Sequence, residues 1–197
     1  MKIETKMDTV THEAKTFENI NYSEKKLSGR EFLNCEFKNC NFTKSDLSNN
    51  IFEDCSFKSC NFSLTVFRNT GLRTIKFIGC KLMGIDFSVV NSFSFSVAFQ
   101  DSILDYSSFF QCKMKKTNFT DCSLKQVDFS ETDLSMAVFK NCDLTLASFV
   151  RTNLEKTDFR TALNYSLDPE QNKVKGAKFS HLGLVGLLYK YNLDIEQ

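Results

Sequence analysis

The 197-residue sequence has no tryptophan, a single proline (Pro169) and only two histidines, His12 and His181, near opposite ends of the chain. Histidines so few and so far apart do not support a Ser-His-Asp triad or a Cys-His pair. The seven glycines are scattered and form no phosphate-binding loop. These absences argue against an enzyme, and we expect no catalytic residue, no cofactor and no metal site.

Charge of one sign and long apolar runs are lacking as well. The formal net charge is +1, which is typical neither of a strongly basic nucleic-acid-binding protein nor of an acidic mimic, and we expect no direct contact with nucleic acid. No stretch approaches the roughly 18 apolar residues of a membrane span. Residues 1–15 are charged throughout and lack the apolar core of a secretory signal. We therefore expect a cytoplasmic protein without a membrane segment.

The sequence instead places a large apolar residue at every fifth position. One run of these centres extends from Phe17 to Phe87 and a second from Phe99 to Phe159, with a break at 88–98. Beyond the first few repeats, the position two before each centre holds a small or slim side chain, and all eight cysteines occupy it. A period of five fits neither the 3.6 residues of a helical turn nor the 2.0 of a strand. Such a fixed period predicts a repeat architecture.

A chain that turns once every five residues presents two inward side chains per repeat, one large and one slim. Four repeats make a square coil of 20 residues, and coils stack about 4.8 Å apart through backbone hydrogen bonds. The sequence therefore predicts an all-β solenoid. Residues 20 apart then form columns, and one predicted core column consists only of phenylalanine: Phe17, Phe37, Phe57, Phe77, Phe99, Phe119, Phe139 and Phe159.

The cysteines have an ordinary explanation in this arrangement. Cys40, Cys60 and Cys80 stack in one inner column, as do Cys122 and Cys142 after the break. We expect small, polarizable core residues with free, reduced thiols. Disulfide bonds and metal binding are the alternatives, although the five-residue spacing between neighbouring cysteines is unlike that of zinc sites.

The repeat divides the chain into an N-terminal extension (1–16), a coil (17–162) and a C-terminal segment (163–197). Because Phe77 and Phe99 are 22 residues apart, the break adds two residues to one coil. We expect a kinked repeat with Phe93 or Phe95 packed inside; the alternative is a short bulge that serves in recognition.

The C-terminal segment predicts a short helix with Ser180 as its N-cap. Leu182, Val185 and Leu188 have helical spacing and would cover the end of the coil. Leu184 and Leu187 then form a second apolar face, which we expect to make a homodimer.

The outer surface carries a few apolar exceptions among polar residues. We expect these to form a protein-binding surface: Leu64, Met83, Tyr106, Phe110, Leu146 and Val150.

These features together resemble the pentapeptide-repeat family, whose consensus is a small residue, Asp or Asn, Leu or Phe, and two polar residues. The resemblance covers about three quarters of the chain and implies a right-handed quadrilateral β-helix. The interrupted coil with a C-terminal helix is similar in plan to the quinolone-resistance branch, whose members are understood to imitate DNA and bind gyrase.

The charge of this chain departs from that branch. Lys38, Lys58, Lys140 and Arg160 each follow a centre of the all-phenylalanine column, on a wall that would repel a basic DNA-binding surface. The leading interpretation is therefore a non-enzymatic rigid scaffold that binds an unidentified protein partner. The alternative is binding of DNA gyrase or another topoisomerase, giving quinolone or microcin tolerance.

Overall fold

The protein is a parallel β-solenoid, as described by a computed structural model for residues 10–93 and 95–194. Of the extension predicted at 1–16, residues 1–9 lie outside this described part. Each coil pairs in parallel with the coil 20 residues later, as in Phe37 beside Phe57 and Phe32 beside Phe52. The right-handed quadrilateral β-helix predicted from the repeat is confirmed.

Short strands run along two sides of the coil, and isolated bridges connect the other two sides. The strands are β1 (Val10–Glu13), β2 (Thr16–Glu18), β3 (Arg30–Leu33), β4 (Glu36–Lys38), β5 (Ile51–Glu53), β6 (Ser56–Lys58), β7 (Gly71–Arg73), β8 (Ile75–Ile78), β9 (Val97–Gln100), β10 (Asn118–Thr120) and β11 (Val138–Lys140).

Four columns of inward centres define four walls, numbered in chain order. Wall 1 contains β2, β4, β6 and β8 to β11, and wall 4 contains β1, β3, β5 and β7. The centres of wall 1 are Phe17, Phe37, Phe57, Phe77, Phe99, Phe119, Phe139, Phe159 and Phe179; of wall 2, Tyr22, Phe42, Phe62, Leu82, Leu104, Leu124 and Leu144; of wall 3, Leu27, Leu47, Phe67, Phe87, Phe109, Phe129 and Phe149; and of wall 4, His12, Phe32, Phe52, Leu72, Met114, Leu134, Leu154 and Val174.

The interior is filled by stacked rings and by slim side chains, most of whose polar atoms are hydrogen-bonded; the buried Ser45 hydroxyl is an exception among the described residues. The Phe119 ring lies 5.2 Å from that of Phe99 and 4.9 Å from that of Phe139, centroid to centroid. The Thr132 hydroxyl donates to the carbonyl of Phe109 at 2.7 Å, one coil earlier. A buried hydroxyl without such a bond would be costly, so threonine fits the slim position because the neighbouring coil offers a carbonyl.

All eight cysteines are buried and unpaired. The Cys60 thiol, for example, donates to the carbonyl oxygens of Phe37 and Lys58. Within residues 10–93 and 95–194, no group of His, Cys, Asp and Glu side chains is arranged to hold a metal ion.

At most corners the chain turns tightly and the second residue after the centre has a positive φ; the corners after Phe87 and Phe159 are exceptions among the described residues. At the corner after Phe62, Leu64 has φ 60° and the N–H of Thr65 donates to the carbonyl of Phe62 at 2.9 Å. Residues with a Cβ other than Asn and Asp rarely adopt this region. An apolar residue at a corner is therefore not selected for the turn itself.

The coil extends beyond the predicted limits of 17 and 162. His12 belongs to it, with its ring stacked on Phe32 at 5.0 Å, and Phe179 stacks on Phe159 at 5.4 Å. The predicted N-terminal extension, 1–16, placed His12 outside the coil, and the structure places it inside. The reason is chemical: an imidazole occupies a position of the wall 4 column that otherwise holds phenylalanine, leucine, methionine or valine.

The break accommodates its two extra residues between Asn91 and Ser96, where the backbone ladder still reaches the previous coil through Thr70 and Leu72. Phe95 packs against the core, and Phe93 points outward with 73% of its surface exposed. Phe95 is therefore the inward residue of the two that were expected, and a role of the break in recognition stays a prediction.

The predicted C-terminal helix is present as two 3₁₀ helices, η1 (Leu182–Leu187) and η2 (Tyr189–Tyr191). The Ser180 hydroxyl accepts the N–H of Gly183 at 3.1 Å, although the residue at the N-cap position is His181. No helix in the described part of the chain is long and apolar enough to cross a bilayer.

Candidate protein-binding surfaces

A row of apolar side chains follows the corner between walls 2 and 3. Leu64, Tyr106 and Leu146 are 54%, 58% and 73% exposed, and all three occupy positive-φ corners. They lie on every second coil, so neighbours in the row are about 10 Å apart along the rod. Since the turns do not require these residues, their apolar character points to contact with another molecule.

Gly84 lies between the first two members of this row. A Cβ at Gly84 would lie 2.8 Å from Leu64 Cδ2, so the leucine side chain rests directly over the glycine. Beside them is an open groove of about 250 Å³ that Val66 and Val89 also line. The missing side chain at Gly84 thus creates space next to exposed apolar carbon.

The other predicted members of this surface contribute less. Met83 on wall 2 and Val150 on wall 3 are half-buried, and Phe110 on wall 3 is 36% exposed. Sequence reasoning missed Val66, Ile103 and Leu163, which are exposed on the same two walls. Val66 and Ile103 occupy the position before a centre, where the family consensus has Asp or Asn, and Leu163 lies in the same register one coil after Asp143. That departure is the signal that could have revealed them.

Polar groups near the row are already engaged with one another. The Asp105 carboxylate accepts hydrogen bonds from the Ser123 hydroxyl at 2.6 Å and the Lys125 N–H at 3.0 Å. Lys125 Nζ lies 3.3 Å from Asp143. Although burial raises the pKa of Asp143, hydrogen bonds led by those from Thr145 and Asn164 lower it to about 2. The apolar row is therefore bordered by charges whose partners lie within the chain, as at the rim of a protein interface.

The C-terminal segment forms a second apolar surface, with a geometry opposite to the predicted one. Leu187 packs against the core of its own chain. Leu182, Val185 and Leu188, which were expected to cover the coil, are exposed, Leu182 to 87%. Leu184, predicted to mediate dimerisation, is also exposed. The 3₁₀ conformation changes the angle between successive residues, so the predicted α-helical faces do not apply.

Close backbone approach to Tyr165 explains how this segment sits on the coil. A Cβ at Gly183 would lie 2.0 Å from Tyr165 Oη, and one at Gly186 would lie 2.1 Å from the Tyr165 carbonyl oxygen. The Leu167 N–H donates to the carbonyl of Gly186 at 3.0 Å. Only glycine fits at these two positions, because any larger residue would move η1 off the last coil.

An ion pair holds the end of the cap. Lys190 Nζ lies 2.9 Å from Asp168 and 2.7 Å from Glu170. Hydrogen bonds to Glu170 and Asp168 raise the pKa of Lys190. Between η1 and the last coil is an open cleft of about 660 Å³, lined by Leu163, Leu182, Val185, Tyr189 and their neighbours. Cleft and exposed leucines together form a continuous apolar end to the rod.

Comparison with known proteins relates this architecture to a family. The family described as pentapeptide repeat region matches residues 30–107 and 92–159. No curated protein matches the sequence at a significant level.

Several solved structures resemble the protein. A trypsin-treated variant of QnrB1, a plasmid-mediated fluoroquinolone resistance protein, is 25% identical with a TM-score of 0.52, over 96% of this chain and 94% of its own. A second trypsin-treated QnrB1 variant is 21% identical with a TM-score of 0.48, over 94% of this chain and 100% of its own. HetL, involved in heterocyst differentiation regulation in the cyanobacterium Nostoc sp., is 14% identical with a TM-score of 0.41, over 87% of each chain. The family match extends over more than half of the sequence, and the chain belongs to the pentapeptide-repeat family.

Proposed function

We propose that the protein is a non-enzymatic rigid scaffold that binds a protein partner through the apolar row at the corner of walls 2 and 3. The observation that carries this proposal is the exposure of Leu64, Tyr106 and Leu146 at corners where the turn itself disfavours them. Exposed apolar groups next to internally paired charges favour a protein partner over a charged ligand.

The test is partner capture with the native protein and with a triple variant, Leu64→Asn, Tyr106→Asn and Leu146→Asn. Asparagine tolerates positive φ, so we expect the variant to stay folded and to lose the partner. A control variant carries Met136→Asn, at the exposed corner of wall 4. If the triple variant retains every partner that the native protein captures, the row is not the binding surface.

We further propose that the C-terminal segment forms a homodimer by two-fold contact of its exposed leucines. Leu184 remains a proposed contact, and Leu182 and Val185 join it because of their exposure. Leu187 would contribute only its exposed part, since it also packs on the core. At about 0.5 M salt, where contacts between exposed charges are screened, Leu182→Glu with Val185→Glu should give a folded monomer by light scattering. A native protein that is already monomeric at micromolar concentration would rule out this dimer.

A second candidate function is binding of DNA gyrase or another topoisomerase, with quinolone or microcin tolerance as the outcome. The likeness to the QnrB1 variant with a TM-score of 0.52 favours it. Wall 1 is unsuited because of its basic residues, so we assign this contact to wall 3. There Asp46, Asp86 and Asp128 precede alternate centres, Leu47, Phe87 and Phe129.

A supercoiling assay with purified gyrase, with and without a fluoroquinolone, tests this second function. We expect the protein to restore supercoiling in the presence of the drug, and Asp86→Asn with Asp128→Asn to weaken that protection. An absence of any effect of the native protein on gyrase would exclude this candidate and leave the scaffold proposal intact. A cytoplasmic location is part of both proposals, in agreement with eight unpaired thiols.

A further inference from the structure

The outward side chains of wall 4 divide the rod into an acidic half and a basic half. The charged side chains named below give the first half a net charge of −3 and the second half +4, so the two halves largely compensate each other. The carboxylates of the first half are Glu13, Glu31, Glu53 and Asp54, with Arg73 as a cation. The second half carries Lys113, Lys115, Lys116, Lys156, Lys173 and Lys175, with Asp133 and Glu155 as carboxylates.

The lysines of wall 4 differ from those of wall 1 in their surroundings. On wall 1, Lys38 and Lys58 both pair with Glu36, at 2.8 and 2.5 Å. Among the described residues, the six wall 4 lysines form no salt bridge, and all are exposed. Their charge is thus available to an external partner.

An exposed aromatic residue lies between the two halves. Phe93 of the break is exposed on wall 4, and Arg73 Cζ lies 5.8 Å from the centre of its ring. Arg73 also pairs with Glu53 at 3.1 Å. An exposed ring at the middle of a surface with charges at both ends has the layout of a small protein interface.

We propose that wall 4 binds wall 4 of a second copy of this chain, with the two rods side by side and antiparallel. The coil of Glu53 and the coil of Lys113 are three coil spacings apart, about 14 Å. A two-fold axis midway between them places Glu53 and Asp54 of one copy opposite Lys113, Lys115 and Lys116 of the other.

The same axis places Phe93 of each copy near Arg73 of the other, since these residues lie on the coils on either side of it. One register thus produces the charge pairs and the aromatic contact together. Glu13 falls opposite the coil of Lys156 and Glu155. Glu31 falls opposite the coil of Asp133, an unfavourable pair that lies beside the exposed Met136.

A second copy satisfies this surface better than an unrelated acidic partner, because the complement of the lysines already lies on the same wall. A two-fold interface requires such a self-complementary patch. The contact depends on exposed charges, so the association is weak and falls as salt screens them.

Charge exchange provides the first test. We expect the protein with an unchanged wall 4 to associate at about 0.02 M salt and to dissociate at about 0.5 M in sedimentation experiments. Glu53→Lys with Asp54→Lys should raise the apparent dissociation constant at least about tenfold, as should Lys113→Glu with Lys115→Glu and Lys116→Glu. In a mixed pair, the introduced lysines of one variant face the introduced glutamates of the other at one contact. At the second contact the unchanged lysines face the unchanged carboxylates, so the mixture should associate again. All proteins carry Leu182→Glu and Val185→Glu, which removes the C-terminal contact.

Cross-linking provides a second test that does not depend on charge variants. Phe93→Cys places a reactive thiol next to the axis, while the native cysteines are buried. A short bis-maleimide should link two copies at residue 93 at low salt. Lys44→Cys, an exposed corner position on wall 2, serves as the control and should remain unlinked.

Three results would overturn the proposal. The first is unlinked Phe93→Cys at low salt, and the second is a mixture of the charge variants that stays monomeric. The third is native protein that is monomeric at low salt while polyglutamate binds the lysines, because the partner would then be an acidic chain other than this one.

Discussion

At the level of single residues, Phe119 shows how the repeat builds the core. Its ring is fully buried between Phe99 and Phe139 and meets Phe109 and Phe129 edge to face. Phe119→Ala should lower the free energy of unfolding by about 3–5 kcal/mol, because a cavity forms that the stacked neighbours cannot fill.

Lys140→Ala is the matched control, since Lys140 lies on the same wall one coil later with its side chain in solvent. We expect a change of less than about 0.5 kcal/mol in chemical denaturation followed by circular dichroism. Equal losses for the two variants would contradict the inward and outward assignment.

We expect His12 to make the first coil sensitive to pH. Burial lowers its pKa from 6.5, and the positive charges of Lys15 and Arg30 lower it further. Within the described residues, its Nδ1 atom is buried without a hydrogen-bond partner. His12 therefore binds a proton more readily when this end of the coil is unfolded than when it is folded. The stability of the first coil falls as the pH drops below about 6.5.

Hydrogen exchange just after β1 should show this effect at the Ala14 N–H, which donates to the carbonyl of Leu33 at 2.9 Å. At pH 5 this N–H should exchange faster than the intrinsic exchange rate at that pH explains. His12→Phe should remove the pH dependence, because phenylalanine suits the column and cannot titrate. Protection that is independent of pH in the native protein would show that protonation does not loosen this end.

The cysteines should be unreactive in the folded protein. Burial raises the pKa of Cys55 to about 11 and that of Cys112 to about 12, and the thiolate is the reactive form. A maleimide at neutral pH should label few of the eight thiols under native conditions and all eight in denaturant. Rapid native labelling, measured by mass spectrometry, would contradict burial of these columns.

At the level of secondary-structure elements, the C-terminal cap depends on two glycines. Gly186→Ala introduces a Cβ about 2.1 Å from the Tyr165 carbonyl oxygen, so η1 must move and its contact with the last coil is lost. We expect faster proteolysis after Ser180 and a loss of about 1–3 kcal/mol of stability.

The control for the cap is Gly71→Ala, where the nearest atom would lie at 3.6 Å and φ is not positive. This variant should be cleaved at the native rate. If Gly186→Ala is equally resistant to protease, the close approach to Tyr165 does not hold the cap in place.

The periodic elements could be predicted from the sequence and the aperiodic ones only in part. Phe37, Phe57 and Cys60 occupy their predicted inward positions because each repeat imposes the same two contacts on the chain. The 3₁₀ geometry of the cap could not be predicted, since it depends on the contact of Gly183 and Gly186 with Tyr165. Tyr165 is distant from both glycines in sequence.

The outer surface was predictable only where apolar residues interrupt a polar position. Leu64, Tyr106 and Leu146 were identified in this way, whereas Val66 and Ile103 were missed because the position before each centre was treated as polar. The division of charge on wall 4 becomes visible only when residues 20 apart are placed above one another. To find this division, one must know to which wall each charged residue belongs.

At the level of the whole molecule, core and surface are constrained independently. Two residues of every five face inward and fix the coil, while the remaining three form walls that differ in chemistry. Wall 2 carries the apolar row, wall 3 carries aspartates and wall 4 carries separated charges. One rod can therefore offer a different side to each of several partners without any change in its interior.

The stacking of equal coils also determines how the rod would respond to mechanical force. Each coil is bonded mainly to its two neighbours, so a chain pulled from its C-terminus should unwind stepwise. Each step frees 20 residues, which extend to about 70 Å at about 3.5 Å per residue. Because the folded coil already spans about 4.8 Å of the rod, the chain lengthens by about 65 Å. The coil between Phe77 and Phe99 contains 22 residues, and its step should be about 7 Å longer, a signature that optical tweezers would record once per molecule.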